Sequence, residues 1–107
     1  MTERLILPQR RGCETFELPW GGLTRGHLVS FGRFSTGRIS EVFIGAGRSG
    51  EAIEAMARDA AILMSLNFQH EVLVESIAHA ITRDSQNNPL SIIGAVADQL
   101  LEREKGL

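Results

Sequence analysis

The chain has 107 residues, a formal net charge of −2 and a single cysteine. This length supports one hydrophobic core, which excludes a TIM barrel or a two-domain dehydrogenase. One cysteine excludes an intrachain disulfide, and no stretch approaches the roughly 20 apolar residues of a membrane span. We therefore expect a single reduced domain in the cytoplasm, with no membrane segment and no cofactor.

The charge is unevenly distributed along the chain. Residues 1–48 have a net charge of +3, and residues 49–107 have a net charge of −5. All but one of the 11 basic residues are arginines, which favour bidentate contacts with carboxylates or phosphates. This pattern indicates two halves that attract each other or a second copy, with a functional basic surface as the alternative.

The first half of the chain predicts three strands joined by short turns. After an N-terminal arm at 1–12, a short strand is expected at 15–18 and a second segment at 23–34. The clearest strand, at 39–44, is rich in β-branched and aromatic residues. Three successive strands separated by glycine-containing turns predict an antiparallel meander.

The second half predicts three helices. A long helix from about 51 to 69 carries apolar residues at i, i+3, i+4 and i+7 spacing. Its second half, 60–68, is so apolar that we expect it to be buried on most sides. Shorter helices are expected at 74–82 and 91–103.

The order of these elements, strands first and helices after, predicts a two-layer α+β domain over 13–103, followed by a frayed tail at 104–107. The helices can cover only one face of a three-stranded sheet, so the other face must meet solvent or a second copy. We therefore expect a homodimer. The bulky side chains that cannot all point to one face are Phe16, Trp20, Leu28, Val42 and Phe43.

The sharpest motif is a glycine-rich segment between the third strand and the long helix. Free N–H groups at the start of a helix attract anions, and an arginine there adds a charge-assisted contact. The segment therefore predicts a phosphate, carboxylate or nucleotide site, and the alternative is a tight turn that needs glycine for its backbone. A dinucleotide fold would also require a parallel strand after the helix, which the sequence does not show. The predicted ligand-binding residues are Gly45, Gly47, Arg48, Ser49 and Gly50.

Other candidate chemistry is weaker. Glu75 and His79 have i,i+4 spacing, with His70 nearby and His27 further away, but zinc or iron needs three or four convergent ligands, so we predict no metal. Cys13 follows two arginines, yet no second cysteine or motif accompanies it. No set of nucleophile, base and orienting group is visible, so we predict no catalytic residues.

Protein interaction is predicted for Arg10, Arg11 and Trp20. Trp20 stands in a turn, where it either folds back on the sheet or anchors a partner, and the two arginines would form the rim of the contact. Nucleic-acid binding is not expected, because aromatic residues make up only 6% of the chain and the net charge is negative.

Three motifs in this order resemble the TSCPD domain. They are Arg38-x-x-Glu41-Val42-Phe43-Ile44, the glycine-rich turn, and Ser65-Leu66-x-x-Gln69-His70 at the end of the long helix. The similar stretch runs from about Leu7 to Ile81. That family occurs at the C-terminus of adenosylcobalamin-dependent ribonucleotide reductases and as small stand-alone proteins, whose tail resembles 89–95 of this chain.

The resemblance implies a non-catalytic accessory module that binds metal or nucleotide and has a ribonucleotide reductase or another protein as its partner. The alternative is a pure protein-interaction module. Two departures stand out. The Cys-Pro-Asp element of the family is absent, which removes the expected thiolate ligand. Glu71-Val72-Leu73 stands where relatives have Gly-Val-Pro, so we expect a weaker or displaced helix break. A single cysteine also cannot supply the radical cysteine and cysteine pair that ribonucleotide reduction requires.

Overall fold

A computed structural model describes residues 3–5, 12–20, 26–45 and 51–106. The prediction of an α+β fold is confirmed, because a three-stranded antiparallel sheet of order β1-β2-β3 is followed by three helices. The elements are β1 (Glu14–Leu18), β2 (His27–Arg33), β3 (Ile39–Gly45), α1 (Glu51–Gln69), α2 (Val74–Ala80) and α3 (Ile92–Lys105).

One face of the sheet forms the core. In the strand register, Phe16 pairs with Val29, and Val29 pairs with Ile44 in the next strand. Side chains alternate between faces along each strand, so these three point to the same side, where they are buried. The rings of Phe16 and Phe31 meet edge to face, with centroids 6.0 Å apart. Helices α1, α2 and α3 complete this core from the other layer.

The opposite face of the sheet carries the strand side chains that point away from the core. Leu28 is 49% exposed and Phe43 is 54% exposed, whereas Phe16 and Val42 lie in the core. The bulky residues of the strands therefore divide between the two faces, as their sequence pattern requires. The homodimer expected from this division stays a prediction.

The prediction that 60–68 is buried on most sides is wrong. Ala61, Met64 and Phe68 are buried against the core, but Ile62 is 55% exposed and Leu63 is 61% exposed. Consecutive residues in a helix point about 100° apart, so one sheet can cover only one side of α1. Its apolar composition does not come from full burial.

The expected displacement of the helix break after α1 is wrong, whereas the weaker break stays a prediction. Val72 N donates to Asn67 O at 2.9 Å and Glu71 N donates to Phe68 O at 3.1 Å, which is the Schellman arrangement of a helix end. Glu71 has a φ of 68°, a left-handed conformation that glycine adopts most easily. The break therefore stays in place, and Glu71 adopts the backbone conformation that a glycine would adopt there.

A bidentate ion pair joins the end of α2 to α3. The Arg83 guanidinium donates to both carboxylate oxygens of Asp98, at 2.6 and 3.0 Å, and to Ala78 O at 2.7 Å. Close packing supports the same junction, since a Cβ on Gly94 would lie 2.5 Å from Ile81 Cδ1. Helix α2 ends at Ala80, so the helix predicted at 74–82 is two residues too long.

The C-terminal end of α3 is held against the sheet. The Arg103 guanidinium lies 4.0 Å from the centroid of the Phe16 ring, and Ile39 N donates to Glu104 Oε2 at 2.8 Å. Arg33 also donates to Arg103 O at 3.3 Å. These contacts extend the helix to Lys105, two residues past its predicted end. The domain boundaries themselves stay a prediction.

Within the described ranges, no helix combines the length and the apolar character that crossing a membrane requires.

We predict that Glu71→Gly raises the free energy of unfolding by about 1 kcal/mol, because a left-handed residue with a Cβ costs about 1–2 kcal/mol. Glu75→Gly, four residues later and inside α2, is the matched control and should lower it by about 1 kcal/mol. Urea unfolding followed by circular dichroism measures both changes. A loss of stability in Glu71→Gly would contradict the assignment of this helix end.

Candidate functional site

A groove lies between the outer edge of β3 and α1, and we call it the β3–α1 groove. It encloses about 340 Å³. Its walls are mostly apolar, with charged and amide groups at the rim. The lining residues are Arg4, Glu41, Val42, Phe43, Ile44, Arg58, Ala61, Ile62, Ser65, Leu66 and Gln69.

Two side chains of α1 hold the helix along the outer edge of β3. Val42 N donates to Ser65 Oγ at 2.9 Å, and Ser65 Oγ donates to Val42 O at 3.0 Å. One turn later, Gln69 Nε2 donates to Ser40 O at 3.2 Å. Since an edge strand has backbone groups that no neighbouring strand pairs with, these bonds satisfy groups that the sheet leaves open. They also set the position of α1 along the groove.

The N-terminal segment 3–5 reaches the end of the groove through Gln69. Arg4 Nε donates to Gln69 Oε1 at 2.6 Å, and Leu5 N donates to Gln69 O at 2.7 Å. Gln69 therefore links this segment, α1 and β3 at one point. The contact places the positive charge of Arg4 at the groove, far from its position in the sequence.

The lining of the groove includes two arginines and Phe43, whose side chain is exposed on the outer face of the sheet beside the groove. Arg58 is exposed on α1 and makes no ion pair within the described part of the chain. Phe43 is 54% exposed. Glu41 is the acidic residue of the lining; its carboxylate packs beside Gly32, where a Cβ would lie 2.7 Å from Glu41 Oε2. Exposed cations beside apolar walls suit an anionic ligand that also has an apolar part.

The described part of the chain includes only some of the predicted site residues. Gly45 is the exposed last residue of β3, and a Cβ there would meet no atom of the described residues within 4 Å. Trp20 is half-buried and packs against the core. The other predicted residues, Gly47, Arg48, Ser49, Gly50, Arg10 and Arg11, lie outside the described residues. All these roles stay predictions.

The groove residues that sequence reasoning missed are Arg4, Arg58, Ser65 and Gln69. Ser65 and Gln69 belong to the motif at the end of the long helix. That motif indicated the family resemblance, but it did not predict their hydrogen bonds to β3. Arg4 and Arg58 carry no motif. Ile44, which lines the groove, directly precedes the predicted glycine site in the sequence.

The other candidate groups are spread over the fold. His27 is buried in β2, His70 follows the end of α1, and Glu75 and His79 are exposed on α2. In the described ranges, no three histidine, cysteine or acidic side chains come close enough to hold a metal ion. Cys13 is exposed just before β1.

Comparison with characterised proteins gives a similarity to a large enzyme. Over 82 residues, or 75% of its length, this chain is 39% identical to a segment of the vitamin B12-dependent ribonucleotide reductase of Agrobacterium fabrum. The matched segment is 6% of that enzyme. No family model and no solved structure matches the chain. The similarity indicates a domain related to a part of a ribonucleotide reductase.

We predict that Ser65→Ala lowers the free energy of unfolding by about 1–2 kcal/mol, because it removes both hydrogen bonds to Val42. The matched control is Ser40→Ala. The Ser40 hydroxyl is buried without a hydrogen-bond partner among the described residues, so its removal should be neutral or stabilising. Thermal and urea unfolding measure both variants. An equal loss of stability in Ser65→Ala and Ser40→Ala would contradict the role given to Ser65.

Proposed function

We propose that this chain is an accessory binding domain of the TSCPD type, without chemistry of its own, and that it binds a nucleotide in the β3–α1 groove. Two findings support the proposal: the similarity to a segment of a ribonucleotide reductase, and the presence of Arg58 and an exposed Phe43 in one groove. The second finding is the observation that indicates a nucleotide as the class of ligand.

The groove has the size and chemistry that a nucleotide needs. Its volume of about 340 Å³ is within the range of small-molecule sites. An exposed aromatic face can stack on any base, which contributes about 1–3 kcal/mol per base. Arginine is well suited to phosphate, because its planar guanidinium donates two parallel hydrogen bonds. The glycine-rich segment predicted to bind the phosphate follows directly after the groove residue Ile44.

The polar side chains inside the groove are already used for structure. Ser65 Oγ both donates to and accepts from Val42, and Gln69 bonds to Ser40 and Arg4. The Ser65 hydroxyl proton is donated to the backbone carbonyl of Val42, and a carbonyl oxygen is not a base that could activate a nucleophile. We therefore propose binding and not catalysis as the activity of the groove.

We further propose a ribonucleotide reductase as the partner of this domain. The similar enzyme carries the matched segment within one long chain, so a ribonucleotide reductase is the kind of protein that such a segment would contact. Co-purification of this chain with a ribonucleotide reductase from the same genome tests the association. Failure to co-purify would contradict the proposed partner and would not affect the ligand proposal.

A pure protein-interaction module is the second candidate. The uncovered face of the sheet, with Leu28 and Phe43 about half exposed, favours it. In that case Trp20, Arg10 and Arg11 would contribute to the contact as predicted, and the glycines would only shape a turn. Binding of a protein partner that is lost in Phe43→Ser, together with no nucleotide binding, would support this candidate.

Isothermal titration calorimetry with adenosine triphosphate, adenosine and inorganic phosphate tests the ligand proposal. We expect adenosine triphosphate to bind more tightly than either fragment. Arg58→Gln should weaken its binding about tenfold, which corresponds to about 1.4 kcal/mol, because it removes a charge-assisted contact. Arg48→Ala should weaken binding as well if the glycine-rich segment holds the phosphate.

The matched control is Arg38→Gln, which removes the same charge near the other end of β3, outside the groove. It should bind adenosine triphosphate as the unmodified chain does. Absence of heat with all three compounds would overturn the nucleotide proposal. So would equal losses in Arg58→Gln and Arg38→Gln, because that result would mean a general effect of net charge.

A further inference from the structure

Helix α1 carries a second apolar line that serves neither the core nor the groove. We call it the α1 stripe, and it consists of Ile53, Met56, Ala60, Leu63 and Asn67. These residues follow one another at alternating spacings of three and four, which is the spacing of a helix-pairing seam. Ile53 is 47% exposed, and Met56 and Leu63 are each 61% exposed.

The stripe is distinct from the two other lines of the same helix. The core line consists of Ala57, Ala61, Met64 and Phe68, which are all buried. The groove line on the other flank includes Arg58, Ile62 and Ser65. Around the helix, the core line therefore lies between the stripe on one flank and the groove line on the other. Three large apolar side chains exposed along one helix mark an interaction surface.

We propose that the α1 stripe pairs with the α1 stripe of a second copy of this chain, with the helices antiparallel and the twofold axis near Ala60. Ala60 is the small residue at the middle of the stripe, and small residues let two helix backbones approach closely. In an antiparallel pair, Met56 of one copy would lie beside the partner's Leu63, on both sides of the axis. This inference is independent of the proposed nucleotide binding.

The chemistry of the stripe favours a second copy over a charged partner. None of its five residues is charged, and the charged neighbour on its outer flank is Asp59. The groove line, in contrast, contains Arg58. Asn67, the polar member of the stripe, stands at its end, where one of its two Nδ2 hydrogens already donates to Leu63 O at 2.8 Å. A surface of this kind matches an identical apolar surface.

The size of the stripe predicts a reversible dimer. A helix of 19 residues is about 28 Å long and about 10 Å wide, which gives a footprint of about 280 Å² per copy. Stable interfaces bury about 800 Å² per partner. The pairing should therefore be weak and depend on concentration.

Sedimentation velocity from about 10 to about 500 µM tests the pairing, since a weak interface associates only as the concentration rises. The unmodified chain should shift from monomer to dimer with rising concentration. Leu63→Glu should stay monomeric. The matched control is Ile62→Glu, which places the same charge one residue earlier at a site of nearly equal exposure on the groove flank, and it should dimerise as before. Circular dichroism confirms that each variant is folded.

Crosslinking tests the position of the axis independently. In a Cys13→Ser background, Ala60→Cys should crosslink to its own copy with a short bismaleimide, whereas Ala55→Cys, exposed on the back of α1, should not. A monomer at every concentration would overturn the proposal. Equal effects of Leu63→Glu and Ile62→Glu, or dissociation caused by Phe43→Glu on the sheet face, would also overturn it.

Discussion

The hydrogen bonds from Ser65 and Gln69 to the outer edge of β3 fix where α1 lies along that strand. They place α1 along the strand edge as well as against the sheet face, which leaves a groove on one flank of the helix. Gln69 also receives Arg4, so the N-terminal segment depends on the same contact. The position of both groove arginines relative to β3 follows from these few polar bonds.

One helix provides three different surfaces because consecutive residues point about 100° apart. Leu63 belongs to the exposed stripe, Met64 lies in the core, and Ser65 lines the groove. A change of one position along α1 therefore changes the environment of a side chain completely. The apolar richness of this helix reflects several surfaces, of which the core is only one.

Local sequence patterns were sufficient to predict the helices and strands. They were not sufficient to predict the contacts between residues that are distant in the sequence. The β-branched and aromatic residues of β3 and the regular spacing in α1 identified both elements, because each pattern is contained within its own segment. The exposure of Ile62 and Leu63 depends on which neighbours cover α1, which composition does not specify. The break at Glu71 persists because hydrogen bonds to Asn67 and Phe68 fix it. The groove could not be predicted because Arg4 and Arg58 are brought together only by the fold.

The bonds from α1 also protect β3 from other chains. Residues 39–44 combine β-branched and aromatic side chains with little charge, which is the composition of segments that aggregate when a strand edge is bare. In the folded chain, Ser65 and Gln69 occupy backbone groups of Val42 and Ser40 at this edge. Detachment of α1 would expose these backbone groups together with the apolar face of the sheet. A partly opened state in which α1 has left β3 is therefore the aggregation-prone state of this domain.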